Sequence, residues 1–262
     1  MGSSATVRTN DHGPVRVITI DRPEVRNAVD RATAAALHDA VADADADDAV
    51  SAIVLTGANG VFCAGADLKS VAEDRGPQVH LDMERQGPMG PSRMMVTTPT
   101  IAAVEGYAVA GGLELALWCD LRVAATDAIF GVYCRRWGVP LVDGGTVRLP
   151  RMIGQSHALD LIMTGRGVSG EEARMMGLAN RVCAPGDALA TAIDLGQQLA
   201  GFPQGCLRSD RMSAYEQWEL SLDDAMANET RRGRTVIDSG ETRTGAARFA
   251  AGAGRHGQPD HS

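Results

Sequence analysis

Gly106-Tyr107-Ala108-Val109-Ala110-Gly111-Gly112-Leu113-Glu114 is the stretch around which the rest of the chain is organised. The apolar run from Ile101 to Val104 leads into it and reads as a buried strand. Leu113, Leu115, Ala116, Leu117 and Trp118 continue it and read as a helix. Strand, small-residue turn and helix together leave backbone N–H groups free at a helix N-terminus, where the dipole favours negative charge. With the helix starting near Gly111, Glu114 sits one turn in, and helical side chains lean back toward the N-terminus. The pattern predicts a carboxylate beside a cluster of N–H donors, an acid/base group next to an oxyanion site. A Gly-rich turn followed by a capping glutamate fits the same residues, and this stretch alone does not separate the two.

A second stretch repeats the arrangement. Ser51-Ala52-Ile53-Val54-Leu55-Thr56-Gly57 reads as another apolar strand, and Phe62-Cys63-Ala64-Gly65-Ala66-Asp67-Leu68 follows it after a turn at Asn59-Gly60. Ala64, Gly65 and Ala66 carry so little side chain that a ligand can approach the backbone closely. Two such loops can supply one N–H each to a carbonyl oxygen, which is the geometry of an oxyanion hole.

FCAGADL at residues 62–68 and GYAVAGGLELA at residues 106–116 resemble the two signature loops of the crotonase superfamily, the enoyl-CoA hydratase/isomerase group. VITIDRPEVRNAV at residues 17–29 resembles that family's opening segment, and FGVYCRRWGVPLVDGGTVRLPRMIG at residues 130–154 its third. Four motifs in the same order, from Val15 to the C-terminus, make the resemblance specific. It implies an α/β fold, a crotonase-type spiral of ββα units over residues 1–200 holding an acyl-CoA site. Residues 201–262 are then a helical C-terminal trimerisation region. The implied partner is an acyl-CoA thioester, with coenzyme A entering as part of the substrate and no other cofactor. The implied assembly is a homotrimer or a dimer of trimers.

Site residues follow from the same resemblance. The oxyanion donors are the N–H groups of Ala66 and Gly111, and Glu114 falls on one of the family's two catalytic glutamates. Arg26, Ala28, Ala64, Asp67, Leu68 and Gly112 border the substrate and its CoA, with Arg22 and Arg26 placed to meet phosphates or simply to be solvated. The place of the second glutamate is taken by Cys134, and Arg135, Arg136 and Trp137 follow where the family is commonly apolar. Asp143, just before Gly144-Gly145, stands on a loop that carries an acid in some divergent members. Its residue type fits equally an N-cap for a helix at residues 144–152. Cys134 reads as a small buried hydrophobe ahead of a thiol nucleophile. The implied activity is hydration of a 2-enoyl-CoA in fatty-acid or related acid degradation. Double-bond isomerisation with one carboxylate and a silent acyl-CoA-binding paralogue are the rivals.

Composition sets the bounds. Lys+Arg 25 against Asp+Glu 33 gives a net charge of -8, which argues against nonspecific nucleic-acid binding. An apolar share of 44% over 262 residues is enough for a large core. Five cysteines, odd in number and without a CxxC pair, predict no metal site and no disulfide framework, and a cytoplasmic protein. The first eight residues lack an apolar signal core, and no run is long enough to span a bilayer.

The remaining elements read as a strand at residues 15–21 and an Ala-rich helix at 31–46 capped by Asp30. A mobile loop or short helix at 73–93 lies over the pocket mouth. Short strands follow at 121–126, 128–130 and 181–183, and a helical stretch at 156–177. A run of helices occupies 186–200, 204–219, 221–237 and 241–251, with so few apolar positions that they need a partner surface. A polar tail at 252–262 is expected to fray.

Overall fold

The computed structural model describes residues 5–253. These divide into two compact units between Leu199 and Ala200. The first unit grows from short, continuous apolar runs. Its strands are β1 (Val7–His12), β2 (Val15–Ile20), β3 (Ala52–Gly57), β4 (Thr100–Val104), β5 (Tyr107–Val109), β6 (Leu121–Ala125), β7 (Ile129–Gly131), β8 (Gly167–Ser169) and β9 (Arg181–Cys183). One sheet has the order β1-β2-β3-β4-β6-β9, antiparallel at β1/β2 and parallel thereafter. A smaller sheet, β5-β7-β8, stands apart from it.

Successive side chains of a strand point to opposite faces, and both faces of the parallel strands are covered, which is why β3 and β4 are buried almost throughout and mostly apolar. On one face Ile18, Ile20, Ile53, Leu55 and Val104 pack with Leu37 and Val41 of α1 (Arg31–Ala46). On the other, Val15, Val17, Val54 and Ile101 cluster with Ala192 and Leu195. The Asp30 carboxylate accepts from Thr33 N at 2.8 Å and caps α1 as its residue type predicts.

The other helices of this unit are α2 (Leu68–Ala72), α3 (Gly111–Trp118), α4 (Gly145–Ile153), α5 (Gln155–Thr164), α6 (Gly170–Met176) and α7 (Ala188–Ala200). All eight residues of α3 are buried, so the central stretch forms the middle of the core rather than an amphipathic surface helix. Residues 156–177, read as one helical stretch, are α5, β8 and α6. Gly165 ends α5 at φ 62, and Ser169 caps α6 by accepting from Glu172 N. The exposed strand β1 and the three-residue strands β5 and β8 carry too little alternation to announce themselves in sequence.

The second unit consists of α8 (Gln204–Glu216), α9 (Leu222–Ser239) and α10 (Glu241–Ala250), close to the expected bounds. None of the three has a buried residue. Phe202, Trp218, Leu222, Met226, Ile237 and Phe249 are exposed. Arg232 pairs with Glu216 across α8 and α9. The tail expected to fray lies, from residue 254 on, outside the described residues. No helix among the described residues is long and apolar enough to cross a membrane.

Candidate active site

The two small-residue loops meet edge to edge. Cys63 N donates to Tyr107 O at 2.8 Å and Val109 N donates to Cys63 O at 3.1 Å, so the first loop runs beside β5. Gly112 is needed for this fit, because a Cβ there would stand 2.1 Å from Cys63 O. Gly65, at φ +94, faces the second loop; a Cβ on it would lie 2.9 Å from Gly111 N. Between β5 and α3, Ala110 adopts φ 55 and ψ -126, a conformation that costs an L-residue of order 1–3 kcal/mol and marks a constrained turn.

The N–H groups around this junction are mostly consumed. Ala64 N donates to Arg26 O, Gly65 N to the Cys63 sulfur, Asp67 N to Val29 O and Ala110 N to Gly131 O. Among the described residues Ala66 N and Gly111 N have no acceptor. These are the two donors that the resemblance to the crotonases implied.

Glu114 lies in the first turn of α3 and is 2% exposed. Its Oε1 accepts from Asp143 N and from Gly145 N, both at 2.8 Å. Gly145 begins α4, so Glu114 satisfies the N-terminus of that helix from across the site. Burial, and next the negative charge of Asp143, push the Glu114 carboxyl up to about 7 against those hydrogen bonds.

Asp143 is 4% exposed, and its Oδ1 accepts from Met89 N at 2.9 Å and from the Ser92 hydroxyl. Burial lifts its carboxyl above the usual range, opposed by these two donors and by Arg93 and Arg148. Its expected role as the cap of α4 does not occur. Gly144, at φ 94, holds that position without a side-chain bond, and the Asp143 carboxyl turns toward residues 89–92 instead.

A cavity of about 620 Å³ joins these groups. Ala64, Ala66, Leu68, Gly111, Glu114, Cys134 and Asp143 line it, with Arg26 and Tyr107 also on its wall. The Arg26 guanidinium lies 6.0 Å from the Tyr107 ring centre. Val71, Val79, Met89, Val139 and Val142 make much of the lining apolar. The Cys134 thiol, 7% exposed, is raised by burial and then by the nearby Glu114 charge, so it stays protonated rather than nucleophilic.

Three residues expected to border the substrate are not in the lining. Asp67 caps α2 through Lys69 N and Ser70 N, both at 3.2 Å, and its Oδ2 meets Arg22 at 3.1 Å. Ala28 is buried, and its carbonyl accepts from Arg22. Gly112 sits against Cys63. Arg22 is held between Asp30 and Asp67 rather than turned to a phosphate.

The loop at residues 73–93 behaves in two parts. Pro77 and Val79 line the cavity from its exposed stretch, whereas residues 87–92 are buried and bring Met89 and Ser92 onto Asp143. Sequence reading missed both residues. Gly87-Pro88 and Gly90-Pro91 signalled tight turns there, but not what they face. Among the described residues no group of three or more His, Cys, Asp or Glu side chains could hold a metal ion.

Comparison with known proteins identifies the family and the fold. A family model described as enoyl-CoA hydratase/isomerase matches residues 10–253. Enoyl-CoA hydratase EchA19 of Mycobacterium tuberculosis is 34% identical over 256 residues, covering 95% of this chain and 94% of that protein. The mitochondrial enoyl-CoA hydratase domain-containing protein 2 of Homo sapiens is 38% identical over 236 residues, covering 87% and 80%. The crystal structure of enoyl-CoA hydratase EchA1 from Mycobacterium marinum superposes with a TM-score of 0.88 at 36% identity, covering 94% of this chain and 96% of that one. Motif order, architecture and these matches converge: the chain belongs to the enoyl-CoA hydratase/isomerase family and has the crotonase fold.

Proposed function

We propose that this protein hydrates a 2-enoyl-CoA thioester in fatty-acid or related acid degradation. The observation that carries the reading is the Glu114 carboxyl, buried at the cavity wall, raised to about 7, and one helical turn from the unpaired Gly111 N–H. The thioester oxygen accepts from Ala66 N and Gly111 N, which stabilise the charge that develops as the enolate forms. Asp143, ionised, takes a proton from water as its oxygen bonds to the β-carbon. Glu114, protonated, delivers the proton to the α-carbon. Proton exchange with solvent then restores both acids. The chemistry requires substrate, water and two carboxyls, and no cofactor beyond the CoA that the substrate carries. Arg26, which lines the cavity as Arg136 does, is the cation assigned to a CoA phosphate in this reading.

One observation favours a second reading, double-bond isomerisation. A protonated thiol, Cys134, stands where the resemblance puts the second glutamate. A single carboxyl near 7 can take a proton from one carbon and return it to another. Purified protein assayed on 2-enoyl- and 3-enoyl-CoA esters separates the two. Hydration gives a 3-hydroxyacyl product carrying oxygen from water, and needs both Glu114 and Asp143. Isomerisation gives a shifted double bond and needs only Glu114. Retained acyl-CoA binding without turnover on any ester would refute both.

The exposed apolar residues of α8 to α10 support assembly as a trimer or a dimer of trimers, with another subunit covering them. The cysteines are all free, which fits a reducing compartment, and residence in the cytoplasm is part of this proposal.

A further inference from the structure

Residues 87–92 are built to present one hydroxyl group. Gly87 and Gly90 exchange backbone hydrogen bonds, Gly87 N to Gly90 O at 3.0 Å and Gly90 N to Gly87 O at 2.8 Å. Gly90, at φ +89, lies so close to α1 that a Cβ would stand 2.4 Å from Ala34 O. A 3-10 turn, Pro91–Arg93, follows. Its Ser92 carbonyl accepts from Arg148 at 2.8 Å, and the same guanidinium donates to Asp143 O at 2.8 Å, tying the turn to the start of α4. The Ser92 hydroxyl lies directly over Gly87, where a Cβ would be 1.9 Å from it, so only glycine leaves it room. Ser92 is buried, and its hydroxyl donates to Asp143 Oδ1.

We infer that Ser92 is a positioning residue of this site: with the Met89 N–H it claims Oδ1 of Asp143, so that Oδ2 is the oxygen presented to the cavity. Both donors fall on one oxygen, and among the described residues no partner takes the other. The inference rests on the role proposed above for Asp143 and adds the group that orients it. Charged and titratable neighbours come from every side: Glu114 on α3, Arg148 on α4, Arg93 on the same turn, and the Cys134 thiol on the shared cavity wall. None of these replaces the hydroxyl, because among the described residues only Ser92 and Met89 donate hydrogen bonds to the Asp143 carboxyl. A donor to a carboxylate favours the ionised form, so its removal moves the acid upward.

The test follows the Asp143 carboxyl carbon by NMR in protein labelled with carboxyl-13C aspartate, the signal being identified by its absence in Asp143→Asn. Ser92→Ala should raise the Asp143 midpoint by about one pH unit, the effect of losing one hydrogen bond to a charged group. The acid limb of kcat/KM should move up by the same interval. At pH values where Asp143 is ionised, kcat should still fall roughly tenfold with KM nearly unchanged, because Oδ2 is no longer aimed. Ser92→Thr keeps the hydroxyl and should keep the wild-type midpoint. A folded Ser92→Ala protein with an unmoved midpoint overturns the inference. So does a wild-type crystal structure with the Ser92 hydroxyl beyond 3.5 Å of both Asp143 oxygens, a result that needs no variant to fold. If Asp143→Asn keeps full turnover while Ser92→Ala still moves the midpoint, hydration through Asp143 is refuted and the hold of Ser92 on it is supported.

Discussion

Replacing Glu114 with glutamine should make the protein both inactive and more stable, with a gain that depends on pH. In the folded chain this carboxyl ionises at about 7 against an ordinary 4.5, because burial and Asp143 disfavour its charge. At 1.36 kcal/mol for each pH unit, ionising it in place costs the fold about 3 kcal/mol. For an acid raised in this way, the folded state binds its proton more tightly than the unfolded chain does. Wild-type stability therefore falls as pH rises from about 4.5 to about 7 and levels off above that. Glutamine carries no charge, and its Oε1 can still accept from Asp143 N and Gly145 N, so the start of α4 stays satisfied.

Denaturation of wild type and Glu114→Gln between pH 5 and 8 measures the difference. The variant should be more stable by up to about 3 kcal/mol at pH 8, and the gap should shrink toward zero near pH 4.5. Turnover on the active ester should drop roughly 10²–10⁴-fold, the usual worth of a general acid–base group. Wild-type kcat/KM should itself decline above pH of about 7 as Glu114 loses the proton it delivers. A gap that is absent at pH 8, or equal at pH 5 and 8, refutes the claim that Glu114 is held near neutrality. Unchanged turnover in the variant refutes its catalytic role.

Asp143→Asn should lower hydration by a similar 10²–10⁴-fold; a loss below about tenfold with Glu114→Gln crippled would identify the isomerase. Gly65→Ala drives a Cβ to 2.9 Å from Gly111 N and Ala110 Cβ in a left-handed residue, and should reduce kcat at least tenfold by separating the two oxyanion donors. Cys134→Glu adds a carboxyl beside Glu114 and should move the alkaline limb of the pH–rate profile upward; an unshifted limb would show that residue 134 does not sense Glu114. Sedimentation at micromolar concentration should give a trimer or hexamer, and a monomer would refute the covering of α8 to α10.

Much of this molecule was legible because its signals are local. Asp30 ahead of an Ala-rich run marks an N-cap by residue type alone, and Ile101 to Val104 marks a strand buried on both faces. The small residues at 64–66 and 110–112 marked two loops with room for free N–H groups; the resemblance named Ala66 and Gly111, whose N–H groups have no acceptor among the described residues. Long-range contacts were not legible. Nothing in the spacing of Arg22 and Asp67 says that one neutralises the other across 45 positions; Asp67 read as a pocket residue and Arg22 as a phosphate contact or a solvated arginine, whereas the two form a partly buried ion pair at 3.1 Å. Asp143 before two glycines has the composition of a cap. Its side-chain direction depends on Gly144 adopting φ 94 and on donors 51 and 54 positions away, which no local pattern contains.

For the proposed hydration, the same geometry lets Asp143 serve without a glutamate at position 134. The N-terminus of α4 needs acceptors for its first N–H groups, and Glu114 supplies one from a different helix. Asp143 is thereby freed from capping duty and can turn its carboxyl toward Met89 and Ser92, at the cavity wall. A buried cavity tolerates few ionised acids, since each neighbouring charge raises the others; Asp143 already contributes to lifting Glu114 to about 7. A third carboxyl at position 134 would push Glu114 higher and remove it from the range where it exchanges protons at neutral pH. An uncharged thiol there avoids that, so in the proposed hydration Asp143 takes the part that the resemblance gives to an acid at position 134, nine residues earlier.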